Sequence, residues 1–266
     1  MKKGYIAIHE RRGYMNNEEL QPKYEEMHEQ GSSSWFGDGK EERELILKMG
    51  EPWTKKGVIE IGCGEGLLAT QISLNSMYVH ALDYSEIAIS KAILKYPMYS
   101  NISWENIDYR KKNQRFDRIV MQGVLEHLDD SFKELKWMMD NLLTKEGDVI
   151  TSSPCFLNPR GIVWMTLDMV GALMSKTDLH FLNPWEFEEF SQKNGYQIIT
   201  GYCNISWASH DEMIEDFLKR IPLALVDANL NWEFHKFAKF IGWLEKVGKY
   251  ILSPGATAVY KMLKKK

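Results

Sequence analysis

The stretch Val58-Ile59-Glu60-Ile61-Gly62-Cys63-Gly64-Glu65-Gly66-Leu67-Leu68 constrains this chain more than any other. It reads as a short apolar strand that runs into a turn with glycine at every second position, then into a helix. Glycines at that spacing let the backbone turn sharply and let a ligand lie against bare peptide. Amides exposed at the start of the following helix favour negative charge. Taken alone, the loop says that something small and polar is held at the tip of a strand, and does not say what.

From residue 57 onward strands and helices alternate. Val58 to Ile61 is the first strand, and Leu67 to Leu74 continues the helix behind the glycines. Tyr78 to Leu82 is the second strand and ends at Asp83. Ser85 caps a helix over residues 86–96, which Pro97 stops. Ile102 to Ile107 is the third strand, ending at Asp108, and Phe116 to Met121 the fourth, left through Gln122-Gly123-Val124. Ser131-Phe132-Lys133-Glu134 has the capping-box pattern and opens a helix with Leu135, Met138, Met139 and Leu142 on one face. Gly147 to Ser152 is a fifth strand, and Tyr196 to Tyr202 a sixth, after a helix begun by Asn183-Pro184-Trp185-Glu186. After a turn at Ser253-Pro254-Gly255, Thr257 to Tyr260 reads as a last, antiparallel strand. This is an α/β pattern: a Rossmann-like, doubly wound, seven-stranded and mostly parallel sheet with helices on both faces.

Three segments fall outside the alternation. Residues 1–50 are polar with scattered aromatics (Tyr24, His28, Trp35, Phe36) and a helix from Glu41 to Met49, and form an N-terminal cap. Residues 51–266 form the main domain, with helical insertions at about 155–182 and 205–252. Gly161 to Met174 is apolar nearly all round and too short for a bilayer, which needs about 20 residues. Residues 210–252 are helical in pattern and interrupted by Pro222. Within them, Trp232, Phe234, Phe237, Phe240 and Trp243 alternate with Lys236, Lys239 and Lys246. That stretch is read either as an insertion covering the pocket or as a peripheral contact with membrane or lipid through 232–252.

Composition excludes other classes. At 44% hydrophobic, 26% charged and a net charge of -4, the chain lacks the basic face of a nucleic-acid binder. The basic end, Lys261 to Lys266, is read as a solvated tail. Three cysteines without metal-like spacing (Cys63, Cys155, Cys203) and the lack of an apolar leader are read as reduced thiols and a cytoplasmic location, with no metal site. Nothing in the sequence speaks to oligomeric state.

Spacing narrows the ligand. A dinucleotide fingerprint needs a third glycine where Leu67 stands, and a P-loop needs Lys-Ser or Lys-Thr after the glycines. What remains is a glycine-tipped first strand with acids at the tips of the second and third, along one edge of a parallel sheet. A carboxylate at the second tip can accept both hydroxyls of a ribose, at roughly 1.5–3 kcal/mol per hydrogen bond to a charged acceptor. One at the third tip can accept from an adenine amino group.

Glu60-Ile61-Gly62-Cys63-Gly64-Glu65-Gly66, Asp83, Asp108, and Phe116-Asp117-Arg118-Ile119-Val120 leading to Val124-Leu125-Glu126-His127-Leu128 resemble the class I S-adenosylmethionine-dependent methyltransferases, and within them the ubiquinone-biosynthesis O-methyltransferase branch. The resemblance covers about residues 55–155 and continues more weakly through 180–195. It implies S-adenosylmethionine as cofactor, with Gly62, Gly64 and Gly66 against its methionine part and Glu60 supporting the loop. Asp83 would hold the ribose, with Tyr84 beside it; Asp108 would meet the adenine and Gln122 would lie by the methionine. Asp83 also reads as a simple cap before Ser85, Asp108 as a loop acid, and Glu65 as a solvated first-turn acid. For a hydroxyl acceptor a general base helps, and His127 and His180 are the candidates, with His28 third. The expected activity is methyl transfer to a small molecule, on oxygen first, with nitrogen or carbon open. The rivals are a non-catalytic cofactor-binding or scaffold protein and a nucleotide-dependent oxidoreductase.

Overall fold

The computed structural model describes residues 17–30, 39–155, 157–169, 180, 182–206, 209–227, 229, 231, 233–247 and 257–264. Seven strands form one sheet in the order β3-β2-β1-β4-β5-β7-β6. They are β1 (Gly57–Ile61), β2 (Tyr78–Asp83), β3 (Ile102–Asn106), β4 (Phe116–Gln122), β5 (Leu143–Pro154), β6 (Tyr196–Cys203) and β7 (Thr257–Lys264). β1 pairs in parallel with both β2 and β4, while β7 lies antiparallel between β5 and β6. The chain winds outward in opposite directions from β1 and β4, so a crevice opens between their C-terminal ends. All five residues of β1 are buried, as a strand covered by helices on both faces requires.

The helices are α1 (Asn17–Gln30), α2 (Lys40–Gly50), α3 (Leu67–Ser73), α4 (Glu86–Lys95), α5 (Ser131–Leu142), α6 (Pro159–Met169), α7 (Pro184–Asn194), α8 (His210–Asp227) and α9 (Phe234–Val247). On one face of the sheet Ile59, Ile119, Met121 and Val149 pack with Leu135 and Met138 of α5 and Phe187 of α7. On the other, Val58, Val120 and Ile150 pack with Ile46 of α2, Leu68 and Ile72 of α3, and Ile89 of α4. α6, α8 and α9 bury a separate small cluster that includes Leu167, Phe217, Ile221 and Leu244.

β5 begins four residues earlier than the sequence reading has it and β3 ends at Asn106; three further departures have local causes. The end of the chain is strand through Lys264: Lys261 points to the α2 side, where Nζ donates to the Met49 carbonyl at 2.9 Å, and Met262 is buried on the other. A period of two was hidden there by the run of lysines. Asp130, not Ser131, caps α5 by accepting from the Lys133 amide at 3.2 Å, while the Ser131 hydroxyl donates to the Leu125 carbonyl at 2.6 Å. Pro222 lies inside α8 without ending it. An interior proline costs about 3 kcal/mol, offset here by burial of Phe217, Ile221 and Ala224. Trp35, Phe36, the 253–255 turn, and the parts of the 161–174 and 210–252 helical readings at 170–174, 228, 230, 232 and 248–252 lie outside the described residues.

One buried ion pair fixes α2 to the sheet. Arg118 of β4 donates through Nε to Asp148 Oδ1 at 2.5 Å and through Nη2 to Oδ2 at 2.8 Å; Nη1 donates to the Gly50 carbonyl. The guanidinium also lies 4.5 Å over the Trp53 ring. Arg118 and Lys261 together place two cations against the last carbonyls of α2, satisfying orphan acceptors and the negative end of the helix dipole. Truncation to Arg118→Ala leaves Asp148 buried beside Lys261 alone. The expected loss is about 3–5 kcal/mol of unfolding free energy, read from urea denaturation followed by circular dichroism.

Candidate active site

The glycine loop leaves β1 and is tied at once to the neighbouring strand: the amides of Gly62 and Cys63 both donate to the Leu82 carbonyl, at 2.8 and 2.9 Å. Gly66 sits at φ +85°, and a Cβ there would lie 2.4 Å from the Trp104 ring, so close packing as well as handedness requires glycine. Gly64, at φ +51°, differs. A Cβ would meet only His28 Cε1, at 3.7 Å, so its position keeps a bare backbone facing open space.

Carboxyls surround that space. Asp83 Oδ2 accepts the Gly64 amide at 2.8 Å and Oδ1 the Ser85 amide at 2.9 Å, so one side chain locks the glycine loop to the end of β2. Burial raises its affinity for a proton; those two amides and His28 oppose the rise. Glu60 is 2% exposed, and its Oε2 has no hydrogen-bond partner. Burial, reinforced by the Asp83 charge, holds its carboxyl well above the usual carboxylate range, with Arg43 opposing. Glu42, from the first turn of α2, is also pushed up by burial, and its Oε2 accepts from Gln122 Nε2 at 3.1 Å. The sequence suggested a cradle for negative charge. The fold instead brings three carboxyls toward one crevice, a setting that favours a cation. Between the glycines, burial and the Asp83 and Glu60 charges push the Cys63 thiol up, which keeps it an unreactive thiol.

α1 lies against this crevice. Glu25 accepts from Ser85 Oγ at 2.6 Å and from the amides of Glu86 and Ile87 at 3.0 and 3.3 Å, capping the start of α4. Gln21 Nε2 donates to the Tyr84 carbonyl at 3.2 Å. The Tyr24 ring stands edge-on to both Tyr84 and His127, with centroids 5.6 Å away in each case. His28 is buried against Gly64, with Nδ1 3.8 Å from Glu65 Oε1. Glu65, read as a solvated first-turn acid, is instead largely shielded and also pairs with Lys91 Nζ at 3.4 Å.

Glu60, Gly62, Gly64, Gly66 and Asp83 are therefore assembled in one place, with Tyr84 and Gln122 at its edges. Asp108 stands farther out, half-exposed, with Oδ1 accepting the Arg110 amide at 2.8 Å and Oδ2 3.4 Å from the Arg110 guanidinium. The two candidate bases flank one turn. His127 is on the 3-10 segment Leu125–His127 after β4. The His180 amide donates to the Glu126 carbonyl at 3.1 Å, and its Nε2 lies 3.0 Å from the Asp129 carbonyl. A carbonyl only accepts, so Nε2 carries the proton, and Nδ1 of a neutral ring holds the lone pair. Sequence reasoning missed Glu42, Arg43 and Glu25, which belong to no motif; the acidic first turn of α2 was the sole signal for Glu42.

A mostly parallel seven-stranded sheet with a glycine loop and buried carboxyls at its switch point is the Rossmann-like arrangement that holds a small ligand beyond the strand tips. Comparison with known proteins narrows this. The profile of a methyltransferase domain matches residues 38–200, and the chain belongs to that family. It is 30% identical over 111 residues to histidine protein methyltransferase 1 homolog of Dictyostelium discoideum, covering 38% of this chain and 36% of the relative. To EEF1A lysine methyltransferase 4 of Mus musculus it is 25% identical over 108 residues, covering 39% and 42%. The matched part thus spans less than half the length of these relatives. Among solved structures, the [4+2]-cyclase SpnF superposes with a TM-score of 0.60 at 12% identity, covering 94% of this chain and 97% of that one. The N-methyltransferase NodS of Bradyrhizobium japonicum, in complex with S-adenosylhomocysteine, gives 0.58 at 12% identity, covering 93% and 99%. At such identities these structures establish the fold.

Glu60 provides a test of the carboxyl cluster. A carboxyl whose folded pKa is raised contributes full stability below its unfolded value of about 4.3 and loses it as pH rises toward the folded value. Glu60→Gln removes that loss. The substituted protein should melt higher at pH 7, by about 2–4 °C for each kcal/mol relieved, and the gain should vanish in scanning calorimetry below pH ~4.

Proposed function

We propose that this chain transfers the methyl group of S-adenosylmethionine to a hydroxyl oxygen of a small molecule. The observation that carries the reading is the partnerless Glu60 Oε2 beside Asp83 and the bare backbone of Gly64. These residues fit a cofactor that has a cationic methionine end and a ribose. When bound, the cofactor supplies a methyl carbon already activated by a sulfonium.

The chain's own residues then bind and orient. Gly62, Gly64 and Gly66 receive the methionine part, with Gln122 beside it and Glu60 facing its positive charge. Each Asp83 oxygen accepts one backbone amide and keeps lone-pair capacity for a ribose hydroxyl. Tyr84 borders the ribose, and Asp108 accepts from the adenine amino group. Alignment of acceptor and methyl supplies much of the rate. His180, with Nε2–H held by the Asp129 carbonyl, accepts the acceptor's hydroxyl proton at Nδ1. His127, on the same turn, contacts the Tyr24 ring.

The ubiquinone O-methyltransferase resemblance favours oxygen. A nitrogen acceptor is the second reading, favoured by relatives named for histidine and lysine methylation. The cyclase on the same fold keeps open a protein that binds the cofactor without transferring its methyl group.

Calorimetry should detect binding of S-adenosylmethionine, and Asp83→Ala should weaken it about 10- to 100-fold, the loss of one or two charge-assisted hydrogen bonds. Unchanged affinity would remove the ribose assignment. Because burial holds the Glu60 carboxyl well above the usual carboxylate range, a cation that ionises it should release a proton on binding, seen as a dependence of the heat on buffer ionisation enthalpy; a buffer-independent heat would remove that role. His180→Gln should lower kcat for transfer of labelled methyl into a metabolite extract about 100-fold or more, with cofactor affinity unchanged.

A further inference from the structure

α1 crosses the mouth of the crevice. In the sheet β1 lies between β2 and β4. The Tyr24 ring reaches Tyr84, just after β2, and His127, past the end of β4, with centroids 5.6 Å away in each case. A ligand held at the tip of β1 therefore lies beneath α1. One turn on from Tyr24, at i+4 and so on the same side of the helix, stands His28. It is 6% exposed, and its Nδ1 has no hydrogen-bond partner, with Glu65 Oε1 3.8 Å away. A Cβ added at Gly64 would lie 3.7 Å from His28 Cε1. Cε1 stands between the two ring nitrogens, so the polar edge of the imidazole is turned to the bare backbone of the glycine loop.

The backbone of α1 is held in place without help from that ring. Glu25 caps α4, Gln21 Nε2 donates to the Tyr84 carbonyl, and Lys91 Nζ of α4 donates to the His28 carbonyl. The helix thus presents an imidazole to the crevice while other residues carry its docking. Burial raises the affinity of Asp83 for a proton and His28 is among the groups that oppose it, so the two side chains are near neighbours. His28 stands with Gly64, Glu65 and Asp83 on the β2 side of β1, whereas His127 and His180 lie past β4. Its place is beside the ribose carboxyl and away from the candidate bases. An ionised carboxylate only accepts hydrogen bonds, while a neutral imidazole both donates and accepts. Side by side they complement a diol, whose hydroxyls each donate and accept. Resting on the reading of this crevice as an S-adenosylmethionine site, we propose that His28 is a cofactor-binding residue, supplied by α1, that hydrogen-bonds a ribose hydroxyl beside Asp83.

Calorimetry on the full chain tests this with two ligands: S-adenosylhomocysteine, and, by competition, 5′-methylthioadenosine, which keeps the ribose and adenine but lacks the amino-acid end. His28→Phe keeps a ring of similar bulk and removes its hydrogen bonding. It should weaken both ligands by the same factor, about fivefold to tenfold, the loss of one hydrogen bond. His28→Gln, with a donor and an acceptor, should retain most of the affinity, and an unchanged melting temperature shows that each variant is folded. Equal affinity of the unsubstituted and His28→Phe proteins for both ligands would overturn the proposal. So would a loss confined to S-adenosylhomocysteine, or no competition by 5′-methylthioadenosine, since either puts the contact at the amino-acid end. If the unsubstituted protein binds neither ligand, the cofactor reading itself fails and this contact falls with it.

Discussion

The side chain of Asp83 is bound by two backbone amides, one in the loop after β1 and one just after β2. Everything else in the site follows from that bridge. It sets the glycine loop's distance from β2, and it places one buried carboxyl beside a second at Glu60, whose affinity for a proton is raised in consequence. Two acids so close are unfavourable in a low-dielectric setting unless something positive joins them. Arg43 supplies part of that charge from α2. A cationic ligand would complete it, so the site is less stable empty than filled, as binding sites on stable scaffolds often are.

α2 links this chemistry to the sheet's mechanical frame. Its C-terminal end is fastened by Arg118, Lys261 and Trp53, and its N-terminal end carries Glu42 and Arg43 into the crevice. The buried Arg118–Asp148 pair is weak evidence for stability in itself, because desolvating both ions offsets much of their attraction. Its role is orientation: a bidentate guanidinium that also holds a helix carbonyl admits one placement of the helix. α1 makes a looser counterpart, joined by Glu25, Gln21 and Tyr24 to the segments after β2 and β4.

Much of this was legible along the chain. The glycine triplet, the acids after strands two and three, and the alternation of apolar runs with capped helices led to the seven-stranded, mostly parallel sheet with an antiparallel last strand and to Glu60, Gly62, Gly64, Gly66 and Asp83 as neighbours. Where the reading failed, a local signal was masked. Lysines hid the strand at 261–264, a capping-box serine hid Asp130 one residue earlier, and a proline suggested a break that packing overrides. Glu42, Arg43 and Glu25 could not be found, because their roles depend on distant partners and on no spacing within their own helices.

The sequence by itself determined the fold class and the cofactor-facing edge, since periodicity and glycine handedness are local properties of the backbone. Only the tertiary structure decided the character of the crevice. Whether carboxyls at 42, 60 and 83 meet water, an arginine or one another depends on which helix ends converge, and that raises their affinity for protons and turns a cradle for negative charge into one for a cation. The same holds for the two histidines: 53 residues apart in sequence, they come to flank one turn because the segment at 180 bonds to the backbone of Glu126 and Asp129.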